Sequence, residues 1–333
     1  GLLNIRHIDP FRTMDERIKD FFNDGRMISI FERFATYNGS SPFEAPATLN
    51  VIAHLEHGLG AFFPKNGMHA IIETLEVKAL QMGVNIHWNT PVDAIVNQQS
   101  TIKGIEVNGA VKPFDYVVSN ADVHFTFKKL LNDQKAAERI QRQEPSTSAL
   151  IMYWGMNREF PELDLHNIFF TEDYKEEFKH QKNGRVYGDP TVYVYISSKK
   201  IPTDAPDGKE NWFVMINVPA NEGQDWDAMK KDMRTAVLKK LSNRLKVDIE
   251  KHILFEETLD PVKLEQETGS YRGALYGSAS NDKFSAFLRQ PNFSNKYKNL
   301  FFCGGTVHPG GGIPLCLMSA KIVSDFFSPV DES

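Results

Sequence analysis

Near the C-terminus, five glycines (Gly304, Gly305, Gly310, Gly311 and Gly312) fall within nine residues, between a short apolar run at 300–303 and an apolar-periodic stretch at 315–327. The run predicts a buried strand and the periodic stretch a helix, with Pro314 where a first-turn proline is favoured. Strand, glycine loop and helix N-terminus in that order let backbone approach a ligand closely. They also aim free N–H groups and the positive end of the helix dipole at an electron-rich atom. That dipole contributes about 0.3–1 kcal/mol when exposed and ~2 kcal/mol when partly buried. A tight turn needs one or two glycines rather than five, so the pattern points to a ligand. The Lys-Ser/Thr pair of a phosphate loop is absent, and so is G-x-G-x-x-G: Gly58-Leu59-Gly60 is followed by Ala61-Phe62-Phe63.

A chain of 333 residues, 41% of them hydrophobic, can bury a large core as one domain or two intertwined ones. No apolar run approaches the ~20 residues that span a bilayer. With 38 basic and 43 acidic residues the net charge is -5, which argues against a nucleic-acid partner. Two cysteines, Cys303 and Cys316, cannot make a disulfide framework and fit a reducing compartment. Both lie in apolar segments and read as inert core thiols. The start at Gly1 has neither the basic region nor the apolar run of a signal peptide, and reads as a piece of something longer or a processed product.

Along the chain, Thr13-Met14-Asp15-Glu16 reads as a cap before a helix over 15–23, and 28–37 and 49–57 continue with helical periodicity. A helix over 68–82 is expected to turn Ile71, Ile72, Leu75, Ala79 and Met82 inward and to end at Gly83. Residues 84–88 alternate like a strand. Residues 92–96 and 102–107 read as a hairpin, and 116–118 as a short buried strand. Further helices are expected at 123–131, 134–143 and 225–245, the last with lysines on its outer face, and strands at 148–155, 191–197 and 212–217. The lysines and glutamates of 175–182 read as a solvated face.

Residues 303–314, Cys-Gly-Gly-Thr-Val-His-Pro-Gly-Gly-Gly-Ile-Pro, resemble the flavin-contacting motif of bacterial-type phytoene desaturases and related carotenoid desaturases. Asn38-Gly39-Ser40-Ser41-Pro42, Gly60 to Met68, Asn89-Thr90-Pro91-Val92 and Val118-Ser119-Asn120-Ala121-Asp122 agree with that family in order, over essentially the whole chain. The resemblance implies an α/β (α+β) architecture: an incomplete doubly wound FAD domain interleaved with a substrate domain of mixed sheet and helices. The implied division is a helical, membrane-facing part at 1–60, an FAD-domain segment at 61–122, a substrate domain at 123–285 and a C-terminal FAD-domain segment at 286–330. Full family members begin with a βαβ unit bearing G-x-G-x-x-G, which this sequence lacks.

The resemblance further implies FAD as cofactor, with Val92 contacting the adenine side. Gly304, Gly305, Thr306, Gly310, Gly311, Gly312, Ile313 and Pro314 would meet the flavin ring. It implies desaturation of a phytoene-like or hydroxylated carotenoid by hydride transfer, with quinone or oxygen as electron acceptor. A water-insoluble substrate implies peripheral contact with the cytoplasmic face of a membrane, for which Phe21-Phe22 and 27–34 are the best segment. Glu56 is a candidate proton acceptor, and His308 is either a support of its loop or a proton-handling group. His54-x-x-His57 lacks a third ligand, so no metal is expected. Phe62, Phe63 and Pro64 either line a tunnel or pack in the core. No G-x-S-x-G supports a serine nucleophile. Two rivals remain: a carotenoid cis-trans isomerase and a non-catalytic carotenoid-binding remnant.

Overall fold

Two short strands nearly two hundred residues apart in sequence pair side by side and fix the base of the glycine loop. The computed structural model describes Asp9, residues 11–279, Asn281 and residues 289–327. Among these, ten strands follow in order: β1 (Ala94–Gln98), β2 (Thr101–Val107), β3 (Ala110–Pro113), β4 (Val117–Ser119), β5 (Ser148–Met156), β6 (His166–Phe169), β7 (Val192–Tyr195), β8 (Glu210–Val218), β9 (Ile253–Leu259) and β10 (Leu300–Phe302). Mixed sheets and helices make this an α/β fold.

Contacts divide the chain into two units. One comprises Gly1–Val51, Thr90–Ser148 and Pro261–Ser333; the other comprises Ile52–Asn89 and Ala149–Asp260. Contacts divide the 61–122 segment that the resemblance implies, with 52–89 in the second unit and 90–148 in the first. The expected boundary at 285/286 lies outside the described residues.

In the first unit β10 runs parallel to β4, with Leu300, Phe301 and Phe302 opposite Val117, Val118 and Ser119. β1, β2 and β3 form an antiparallel meander. Gln99 and Ser100 both take positive φ at the β1–β2 turn, as a twist-matched two-residue hairpin requires. Ile95, Ile102, Val123, Phe127, Leu300, Phe302 and Val307 join one buried cluster, so the root of the glycine loop is anchored in core. The expected first helix is shorter, Met14–Ile18, and Thr13 and Glu16 close a reciprocal capping box.

On the helix Gly25–Glu32, the Glu32 side chain is buried and hydrogen-bonds the Asp15 carboxyl. Burial, and then Asp15, push the Glu32 carboxyl up to about 8. A carboxyl raised in the folded state holds a proton that the unfolded chain releases. Its stabilising contribution is therefore complete below the ordinary pKa near 4.5 and is lost as pH rises through about 8. Chemical unfolding of Glu32→Gln should show a flatter decline between about pH 5 and about pH 9 than the parent. An unchanged slope would assign the dependence elsewhere.

The second unit is built on a five-stranded sheet of order β6-β7-β8-β5-β9. Strand alternation is clear: Val192, Val194, Trp212, Val214 and Ile216 are fully buried, while Tyr193, Tyr195 and Phe213 are half-exposed. Three expectations need correction here. The helix forms over His69–Gln81, but Ile72, Leu75 and Met82 are exposed, because no described residue covers the face that the periodicity marks. Residues 84–88 form no strand. The 175–182 segment is the helix Tyr174–Lys182, whose Glu177 turns inward to accept hydrogen bonds from the Thr191 N–H and hydroxyl at 2.9 and 2.7 Å. In the long helix Trp226–Leu245, Lys240 is likewise buried. Its ammonium pairs with Asp189 at 2.8 Å and donates to the Phe170 and Pro190 carbonyls.

Candidate functional site

The chain leaves β10 through a set of backbone and side-chain hydrogen bonds that hold the loop at its root. The Cys303 N–H donates to the Ser119 carbonyl at 3.0 Å, and Asn120 Nδ2 donates to the Cys303 carbonyl at 3.1 Å. Gly304 N–H donates to the Ser319 hydroxyl at 3.1 Å. The buried Asn292 amide lies within 3.2 Å of the Phe302 carbonyl, 2.8 Å of the His308 carbonyl and 2.9 Å of Ser319 Oγ, so its two N–H groups serve three acceptors. Val123 N–H donates to the Thr306 hydroxyl at 3.1 Å. The His308–Pro309 peptide is cis.

The five glycines differ in what they do. At Gly311 a Cβ would come within 2.6 Å of the Tyr276 ring, so this glycine serves close packing inside the protein. Gly304 and Gly310 lie against Asn120 and the Arg289 guanidinium, and Gly305 lies against Gly311. Gly312 is the exception. Its φ is +100°, and a Cβ there would meet only open space. It starts the helix Ile313–Asp325 with Pro314 in the first turn and no capping side chain. The N–H groups of Gly310, Gly311, Gly312 and Ile313 have no acceptor among the described residues. An uncapped helix start facing open space, with glycine at its rim, is suited to an electron-rich group.

Val92 borders an apolar groove of about 530 Å³ that also takes in Ile95, Phe114, Tyr116, Val118 and Asn120. Because Asn120 also holds the Cys303 carbonyl, the groove extends from Val92 to the root of the glycine loop. Behind Asn120, the Asp122 carboxylate accepts from the N–H groups of His124 at 2.8 Å, Phe125 at 3.2 Å and Tyr271 at 3.3 Å. Burial raises the Asp122 carboxyl against the opposing pull of those three donors. Burial, with Lys128 and Arg272 nearby, lowers the His124 imidazole to about 4, which keeps it neutral near pH 7. Burial also raises both thiols, Cys303 and Cys316, which leaves them protonated and unreactive.

Of the sequence-predicted residues, Gly304, Gly305, Thr306, Gly310, Gly311, Gly312, Ile313 and Pro314 share this one loop and helix start, and Val92 lines the groove that Asn120 joins to the loop root. His308 is exposed; its backbone ties the loop down, and its ring bonds no described residue. Glu56, half-buried, is on the helix Val51–Leu59 and belongs with the second unit. Asn292, Ser319, Asp122 and Arg289 carry the loop but were not assigned roles from the sequence. Only Asn120-Ala121-Asp122 gave a signal, as part of a motif.

A family model described as flavin-containing amine oxidoreductase matches residues 7–325. The chain belongs to that family. Its cofactor is FAD, and its type within the family is the carotenoid-desaturase oxidoreductases. It is 46% identical over 326 residues to the 1-hydroxycarotenoid 3,4-desaturase of a Flavobacterium species, covering 98% of this chain and 67% of that protein. It is 33% identical over 331 residues to the 4,4'-diaponeurosporene oxygenase of Staphylococcus haemolyticus, covering 98% and 66%. The chain thus spans about two thirds of the length of these relatives. Among solved structures, an oxidoreductase from Methanosarcina mazei matches with a TM-score of 0.66 at 14% identity, over 97% of this chain and 71% of that one, which shows the fold.

The residues present fit FAD. The groove that Val92 borders offers an apolar bed reaching Asn120 at the loop root, and the open rim at Gly312 offers N–H groups with no acceptor among the described residues. Bound there, FAD supplies the two-electron acceptor that no side chain can provide.

Proposed function

We propose that this protein desaturates a carotenoid carrying a hydroxyl near one end. A hydride leaves one carbon for the flavin, a proton leaves its neighbour for a protein base, and a new double bond extends the polyene. The observation that carries this reading is the higher identity to the hydroxycarotenoid desaturase than to the diapocarotenoid oxygenase. The 304–314 loop orients the ring, and its free N–H groups and helix dipole stabilise negative charge as it develops. Glu56 is the proton acceptor, and His308 holds the loop through its backbone. The two electrons then pass to a quinone or oxygen.

The substrate is collected from the cytoplasmic face of a membrane. Support for this comes from Phe21, Met27 and Ile30, which are exposed beside Arg17 and Arg26 near the helix Gly25–Glu32. No described helix is long and apolar enough to cross a membrane.

Incubating the flavin-loaded full-length protein with a hydroxylated carotenoid, and separately with its non-hydroxylated counterpart, tests the proposal. A product two hydrogens lighter, formed preferentially from the hydroxylated substrate, is expected. Glu56→Gln should slow that conversion by about 10²–10⁴-fold with flavin still bound. A gain of oxygen would make the protein an oxygenase, and an unchanged mass with altered geometry an isomerase. Pigment that co-purifies without turnover would make it a carrier.

A further inference from the structure

Arg289 is 4% exposed, and its guanidinium donates to three backbone carbonyls: Tyr276 at 3.0 Å, Gly305 at 3.3 Å and Ser278 at 2.6 Å. No carboxylate of the described residues pairs with it. Lys240, also buried, is by contrast neutralised by Asp189. The guanidinium lies directly under the loop, with a Cβ at Gly310 falling 3.4 Å from its central carbon. Burying a cation that no carboxylate of the described residues meets is costly, and the fold retains it under the loop that leads to the open rim.

We infer that Arg289 is a positioning residue for the flavin: its buried charge, together with the peptide orientation it imposes, stabilises the negative charge of the reduced cofactor. Two effects follow from the geometry. A buried positive charge that no carboxylate of the described residues neutralises acts over a longer range than an ion pair, because little water screens it. Holding the Gly305 carbonyl inward also turns the Thr306 N–H of the same planar peptide outward, away from the guanidinium. That N–H has no acceptor among the described residues. This inference rests on the reading that the 304–314 loop faces the flavin ring.

The test uses the full-length protein purified with FAD, comparing Arg289→Met and Arg289→Lys with the parent. Sulfite adds to the oxidised flavin ring and leaves negative charge on it, so its dissociation constant reports the local potential without turnover. Arg289→Met should weaken sulfite binding about tenfold or more and lower the two-electron midpoint potential by about 30 mV for each tenfold. Arg289→Lys, which keeps a charge but not the planar fork that holds three carbonyls, should lose less than about tenfold on the same scale. A flavin-loaded Arg289→Met protein with unchanged sulfite affinity and potential would overturn the inference. So would a lysine variant that loses as much as the methionine one. Where Arg289→Met retains no flavin, Arg289→Lys decides alone: a smaller loss of sulfite affinity supports the charge, and a tenfold loss overturns it. Gly312→Val separates this from the loop reading itself, because a Gly312→Val protein that binds FAD normally would remove the loop from the flavin altogether.

Discussion

Replacing Gly312 by valine is expected to weaken FAD binding by about a hundredfold or more, equivalent to about 2.7 kcal/mol. The cost to the fold should be smaller, about 1–3 kcal/mol for a side chain held at positive φ. The reasoning is local. The Gly312 Cα faces open space, so a valine there displaces no atom of the described residues. It would instead occupy the volume above the unpaired N–H groups where the flavin is placed. Gly311→Val is the control. Its Cβ would fall 2.6 Å from the Tyr276 ring, so it should damage stability and cofactor binding together. Thermal melting of the flavin-free proteins, with FAD titrated by fluorescence quenching, distinguishes the two. A Gly312→Val protein within about threefold of parental affinity would mean that the rim is not against the flavin.

Asp122→Ala should destabilise the first unit by about 3 kcal/mol, because three backbone N–H groups lose one shared carboxylate. The loss reaches the site by a short route. Asp122 caps the helical turn Val123–Phe125, and the Val123 N–H holds the Thr306 hydroxyl of the glycine loop. Flavin affinity should therefore fall along with stability, and Asp122→Asn should recover part of both, since its amide oxygen still accepts. Urea unfolding monitored alongside FAD titration checks this. Full flavin affinity in a destabilised Asp122→Ala chain would uncouple the turn from the loop.

The elements nearest the site were legible because their signals are local. Glycine, proline and apolar periodicity mark the strand–loop–helix order of 300–327, and the hairpin of β1 and β2 follows from alternation and turn residues. What supports the loop was not legible. Asn292, Ser319 and Arg289 act through bonds to backbone atoms brought near by folding, and nothing in their own neighbourhoods marks them. The glycine count answers in part to the protein itself: Gly311 packs against Tyr276, and Gly304 and Gly310 against Asn120 and Arg289, which leaves Gly312 as the open position of the five. Periodicity likewise marked the apolar face of the helix His69–Gln81 without showing what covers it. Lys240 shows the opposite failure, a charged residue read as surface that is buried because a carboxylate and two carbonyls receive it.

In the proposed reaction the 304–314 loop and the start of the helix Ile313–Asp325 hold the flavin ring. An experimentally determined structure of the full-length protein with FAD bound tests it most directly. The N1 and C2-carbonyl edge of the ring should lie within about 3 Å of N–H groups between Gly310 and Ile313, with the adenine end toward Val92. A ring bound elsewhere, with those N–H groups facing solvent or protein, would contradict it.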